Sequence, residues 1–114
     1  MLGVPVVAAN VDGILEAAGA PENVVLIDPI EPVDQRFTTG SSVPLPQLVY
    51  FPARKSFSSP RQVSPGGLRD VLVAAMTDYD HYREMALRHR QFVVERMSVQ
   101  AYADSLLRTY ASLS

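Results

Sequence analysis

Asn10-Val11-Asp12-Gly13, followed a few residues later by Glu16, is the stretch of this chain whose residue types are best suited to meet a ligand. It lies between an apolar, β-branched run and a short helical one. In an open α/β sheet, ligands bind beyond the carboxyl ends of the strands. Gly13 would let the backbone approach a ligand there, and the helix that follows would offer unpaired N–H groups to a phosphate. Asn10 and Asp12 are equally suited to capping that helix, and without a full Gly-rich fingerprint both uses stay open. A second cluster, "YFPARKSFSSPRQ", interleaves Tyr50, Phe51 and Phe57 with Arg54, Lys55 and Arg61. Aromatic faces and cations are the ingredients of stacking and phosphate contact. With a formal net charge of −2 and no nucleic-acid motif, docking on another domain or contact with an acidic acceptor is favoured over nucleic acid.

No catalytic set accompanies these clusters. His81 and His89 are eight residues apart on one predicted helix, outside the close helical spacing that lets two histidines share a metal ion. His89 falls on an apolar stripe and reads as a packed, hydrogen-bonded side chain. Glu16, Glu31, Asp34, Glu84 and Glu95 are scattered and read as solvated charges. No catalytic residue, metal site or cofactor is expected.

The elements that would position the clusters follow from hydrophobic periodicity. Val4-Pro5-Val6-Val7-Ala8-Ala9 is a continuous apolar run, the pattern of a strand buried on both faces of a parallel sheet. Pro5 then belongs near its start or at an edge. Ile14-Leu15-Glu16-Ala17-Ala18 predicts a short helix ended by Gly19, and Val24-Val25-Leu26-Ile27 a second strand closing at Asp28-Pro29. Residues 30–64 read as an extended excursion, in which "VPLPQLVYFPARKSF" supplies one or two edge strands and Thr39-Gly40-Ser41-Ser42 a turn. A structureless loop of that length is improbable in a compact domain, so the excursion is expected to pack on a partner or to move.

Helices follow. Ser64 can cap the first, with Pro65 at its opening position and Leu68, Val71, Leu72, Ala75 and Met76 as its stripe. Asp78 is the candidate cap of a longer helix carrying Tyr82, Met85, Ala86, His89, Val93 and Met97 on one face. Ser98 caps a third, striped by Val99, Tyr102, Ala103, Leu106, Leu107 and Tyr110. The expected class is α/β: a partial Rossmann-like βαβ layer over residues 1–29, a Pro-rich extended insertion over 30–64, and C-terminal helices over 65–114, in one domain.

Composition limits the alternatives. The 114 residues are 47% hydrophobic and 19% charged, against global disorder. Zero cysteines exclude disulfides and thiolate metal sites and fit a reducing compartment. The longest apolar run is far too short to span a bilayer, and the chain reads as soluble and cytoplasmic. Seven of the nine prolines fall between Pro29 and Pro65. Setting that segment aside leaves roughly 75 residues to build a core, where burial is marginal.

"GVPVVAANVDGILEAAGAPENVVLIDP" resembles the second half of the donor-binding domain of retaining glycosyltransferases of the two-Rossmann-domain type (GT-B, the family 4 or group 1 enzymes). Their run of Gly-Val-Pro-Val-Val-Ala, a short loop, Gly-Gly-Ile-Pro-Glu and a strand ending Asp-Pro is matched by Gly3 to Ala8, by Gly13-Ile14-Leu15-Glu16 and by Asp28-Pro29. Leu15 stands where proline is usual, and Asp12 where the first glycine of the pair often stands. The run of helices over 65–113 agrees in kind. The resemblance implies sugar transfer from a nucleotide-diphosphate donor with retention, usually without a bound metal. Asn10, Asp12, Gly13 and Glu16 would be donor-proximal loop, and the last helix would pack on an N-terminal domain. The family's Glu-x7-Glu donor motif would lie upstream of Met1, and residues 30–64 replace a short connection. The chain is therefore expected to be a C-terminal fragment of such an enzyme, inactive alone, with a nucleotide-sugar donor bound only in the complete enzyme. The alternative, of a different class, is a stand-alone interaction module that self-associates or pairs with a separately encoded N-terminal half.

Overall fold

The computed structural model describes residues 2–33 and 45–113. Within them the chain mixes helix and strand, with three two-stranded sheets and a helical C-terminal tail. The predicted turn at Thr39-Gly40-Ser41-Ser42 and the charge of Asp34 lie outside the described residues.

The first unit is strand, helix, strand. β1 (Val7–Ala9) pairs in parallel with β2 (Val25–Ile27), Val7 opposite Val25 and Ala9 opposite Ile27. Backbone bonds from Val25 N–H to the Val6 carbonyl (3.0 Å) and from Asn10 N–H to the Ile27 carbonyl (2.8 Å) extend the ladder at both ends. β1 is shorter than the Val4–Ala9 run suggests, because Pro5 has no N–H to donate and the ladder begins only after it. Nor is β1 buried on both faces: its three residues are half-exposed, and Val4 and Val6 stand 60% and 38% open. Each strand has one hydrogen-bonded neighbour, its partner in the pair, among the described residues.

α1 (Ile14–Ala18) has the predicted bounds. Five residues cannot hold a helix in water by propensity, so packing must hold it. Gly19 ends it at φ +79°, and a Cβ there would lie 2.6 Å from the Phe92 ring. Only glycine supplies both the left-handed backbone and the room for that ring. A 3₁₀ turn, Pro21–Asn23, follows; buried Asn23 donates from Nδ2 to the Ala18 carbonyl at 3.0 Å, satisfying one of the helix's terminal acceptors.

The 30–64 excursion is not structureless where it is described. β3 (Glu31–Pro32) pairs antiparallel with β6 (Arg61–Gln62), and nested inside them β4 (Val49–Phe51) pairs antiparallel with β5 (Ser56–Ser58). Alternation places Val49 and Phe51 of β4 on the buried face.

α2 (Pro65–Thr77) opens as predicted, with Gly67 N–H donating to Ser64 Oγ at 3.0 Å. α3 (Tyr79–Arg96) follows across Asp78, whose side chain makes no capping bond, contrary to expectation. α4 (Val99–Ser112) is capped by Ser98 Oγ, which accepts from Ala101 N–H at 3.1 Å. α3 is the main cover of the first unit. Phe92 lies against Gly19, His89 Nε2 donates to the Ala17 carbonyl (3.1 Å) and Arg88 to the Glu22 carbonyl (3.3 Å). His89 is thus the packed, hydrogen-bonded histidine the stripe predicts.

The resulting core is small. Among the described residues, Ala18, Val24, Val49, Phe51 and Ala86 are its buried apolar members. The accessible surface is 8467 Å², against about 6200 Å² for a compact chain of this mass. The radius of gyration is 17.5 Å, against about 13 Å for a compact domain of this length. Gly19→Ala is expected to lower the unfolding free energy by about 2 kcal/mol. An unchanged urea midpoint would contradict the tight Gly19–Phe92 contact.

Candidate functional site

The carboxyl ends of the two parallel strands meet. Asn10 Nδ2 donates to Asp28 Oδ1 at 2.9 Å, joining the residue after β1 to the residue after β2. Asn10 Oδ1 is buried with no hydrogen-bond partner. Asp12, not Gly13, takes the left-handed conformation, at φ +47°. Its N–H donates to the Tyr50 carbonyl at 2.9 Å, and its Oδ1 accepts from Tyr50 N–H at 2.9 Å. Two reciprocal bonds to one residue clamp the β4–β5 hairpin onto the loop.

The capping use of this loop is therefore revised. Asn10 and Asp12 do not cap α1, which has no side-chain cap bond; Asn10 binds Asp28 and Asp12 binds Tyr50. Gly13 has an ordinary φ of −88°, and a Cβ there would meet only Glu16 Oε2, at 4.0 Å. The fold itself does not require glycine at this position. Glu16 is exposed in the first turn of α1, where a carboxylate is favoured by the helix dipole.

The aromatic–basic cluster divides. Tyr50 and Phe57 face each other across the hairpin with ring centroids 5.2 Å apart, and Phe57 is 68% exposed. The Arg54 guanidinium lies 5.7 Å from the Phe51 ring centroid, while that ring is part of the core. Arg54 and exposed Lys55 form the hairpin tip, with Lys55 at φ +52°. Arg61 does not join this surface: it is half-buried in β6 and donates from Nη1 to the Ile30 carbonyl at 2.8 Å. Tyr50, Arg54, Lys55 and Phe57 remain as a surface adjoining the strand-end loop through the Asp12 clamp.

Chemically, the strand-end site offers carboxylates, an amide and one exposed glycine. No group of three or more histidines, acidic residues or cysteines suited to a metal occurs among the described residues. His81 is exposed and packs edge-on against Tyr82, 5.3 Å between centroids. Sequence reasoning missed Asp28 and Tyr50 as partners of the loop, since both are long-range contacts. It also missed a shallow open depression on α3 lined by Leu87, Arg90, Gln91, Val94 and Glu95. Its signal was present as a second set of residues spaced at i, i+3, i+4, i+7 and i+8.

Comparison with models of protein families, with curated proteins and with solved structures gave no match. No described helix is long and apolar enough to cross a membrane.

Asp12→Ala is expected to cost about 1 kcal/mol and to speed amide exchange across β4 and β5. Asp12→Asn keeps a carbonyl acceptor and tolerates positive φ, so it should stay close to the parent protein. Equal exchange in the two variants would contradict the clamp.

Proposed function

We infer that this chain forms the donor-side strand–helix–strand portion of a retaining, nucleotide-sugar-dependent glycosyltransferase. The reading rests on the resemblance over Gly3 to Ala8, Gly13 to Glu16 and Asp28-Pro29. The observation that carries it is the parallel pairing of β1 with β2, with Asn10 held to Asp28 where both strands end. Parallel neighbours need a crossover such as α1, and a Rossmann-like layer takes its ligand at that end. Gly13, exposed and with space above it, is the point where a donor would approach the backbone. The neighbouring carboxylates repel phosphate, so the groups that neutralise the donor diphosphate belong to the rest of the enzyme. The hairpin surface of Tyr50, Arg54, Lys55 and Phe57 then serves docking or an acidic acceptor.

The purified chain is expected to release no nucleoside diphosphate from uridine- or guanosine-diphosphate sugars. The whole native assembly that contains it should release the diphosphate and retain the anomeric configuration. Gly13→Trp, whose Cβ would meet only Glu16 Oε2, at 4.0 Å, should reduce that release at least about tenfold by blocking donor approach. Turnover by the chain alone, or full activity of the Gly13→Trp assembly, would contradict the reading.

A second reading, a stand-alone interaction module, is favoured by α4. Residues 104–112 of this helix are all exposed, as is Leu113 just after it. An isolated helix of 14 residues is marginal in water, and an apolar stripe left open on it calls for a cover.

A further inference from the structure

We propose that the cover of α4 is α4 of a second copy of this chain, paired antiparallel about a two-fold axis at Leu106. The proposal rests on the interaction-module reading and names its partner. Its ground is a palindrome. Counting outward from Leu106, Tyr102 and Tyr110 each lie four residues away, and Val99 and Leu113 each lie seven away. At 100° per residue these five side chains share an arc of about 80°. An isologous interface must be self-complementary, residue i meeting j and j meeting i. Antiparallel pairing at Leu106 meets that demand, setting Tyr102 against Tyr110, Val99 against Leu113 and Leu106 against itself.

Three further observations agree. Val99 is 87% exposed, Tyr102 66%, Leu106 37%, Tyr110 67% and Leu113 78%, so the stripe is open to a partner along its whole length. Leu107, 67% exposed, extends the apolar surface on its flank. The stripe carries no charge: Asp104 and Arg108 fall on the opposite face of the helix, where Gln100 Nε2 donates to Asp104 Oδ1 at 2.9 Å. Two copies thus meet without desolvating an ion. Antiparallel pairing also opposes the helix dipoles and sets the two bodies, each attached at Ser98, at opposite ends of the pair.

The test uses the full chain, which has no native cysteine. Light scattering at micromolar concentration is expected to give twice the 12.5 kDa chain mass. Leu106→Glu is expected to weaken the dimer roughly thirty-fold or more. Since that variant could also loosen the helix itself, Val99→Cys and Leu113→Cys chains are mixed and oxidised. The mixed disulfide should dominate over either homodimeric disulfide. Predominance of homodimeric disulfides would overturn the antiparallel pairing. A monomeric parent chain would overturn the dimer in either of two ways. If protease cuts α4 in that monomer, the docking reading survives with another occupant; if α4 resists protease, the docking reading falls as well.

Discussion

A parallel pair of strands must have its faces covered, because its ladder alone is weak and its side chains are apolar on both sides. In this chain α2 packs against β2, and the crossover that joins the strands is covered from farther along the sequence. α3 lies over α1 and the 3₁₀ turn, with Phe92 seated on Gly19 and His89 and Arg88 bonded to backbone carbonyls of that unit. α1 depends on it, since five residues have no independent helical stability. The parallel pairing depends on α1 as its crossover. Ala18, Val24 and Ala86, three of the few buried apolar residues, belong to this first unit and its α3 cover.

The other covers are thin, and that shapes the functional account. β1 and β2 have no further strand beside them among the described residues. Of the apolar stripe expected of α2, Leu68, Leu72 and Met76 stand 41%, 46% and 82% exposed, while Val71 and Ala75 are half-buried. Single exposed apolar residues are ordinary, but stripes of them mark interaction surfaces. The donor-layer reading and the self-pairing of α4 share this physical root: apolar faces that the chain does not close by itself. They differ in what closes them, further strands and an N-terminal domain in the first case, a second copy of α4 in the other.

Local chemistry was legible in the sequence, and long-range chemistry was not. The bounds of α1, the Ser64 cap with Pro65 behind it and the Ser98 cap of α4 are written in neighbouring residues, because caps and periodicity act within a turn or two. The hairpin inside the excursion was readable as strand-forming sequence, but its docking was not. Asp12 and Tyr50 are 38 residues apart, and nothing near Asp12 announces that both its amide and its carboxylate are taken. Gly19 read correctly as a helix stop, while its second role, making room for Phe92, needed the fold. Arg61 looked like part of a basic surface because its neighbours are basic and aromatic; pairing of β6 with β3 turns it toward the Ile30 carbonyl instead.

The measurement that bears most directly on the central claim, that the chain does not cover its own C-terminal helix, is amide hydrogen exchange along the purified chain as its concentration is varied. Protection reports local opening free energy segment by segment. The account predicts that β2 and the α3 segment over Gly19 are protected at every concentration. α4 from residue 104 onward should exchange fast when dilute and gain protection as concentration rises. Protection of α4 equal to that of α3 in the dilute chain would mean that the helix is stable without a partner, and the account would be wrong.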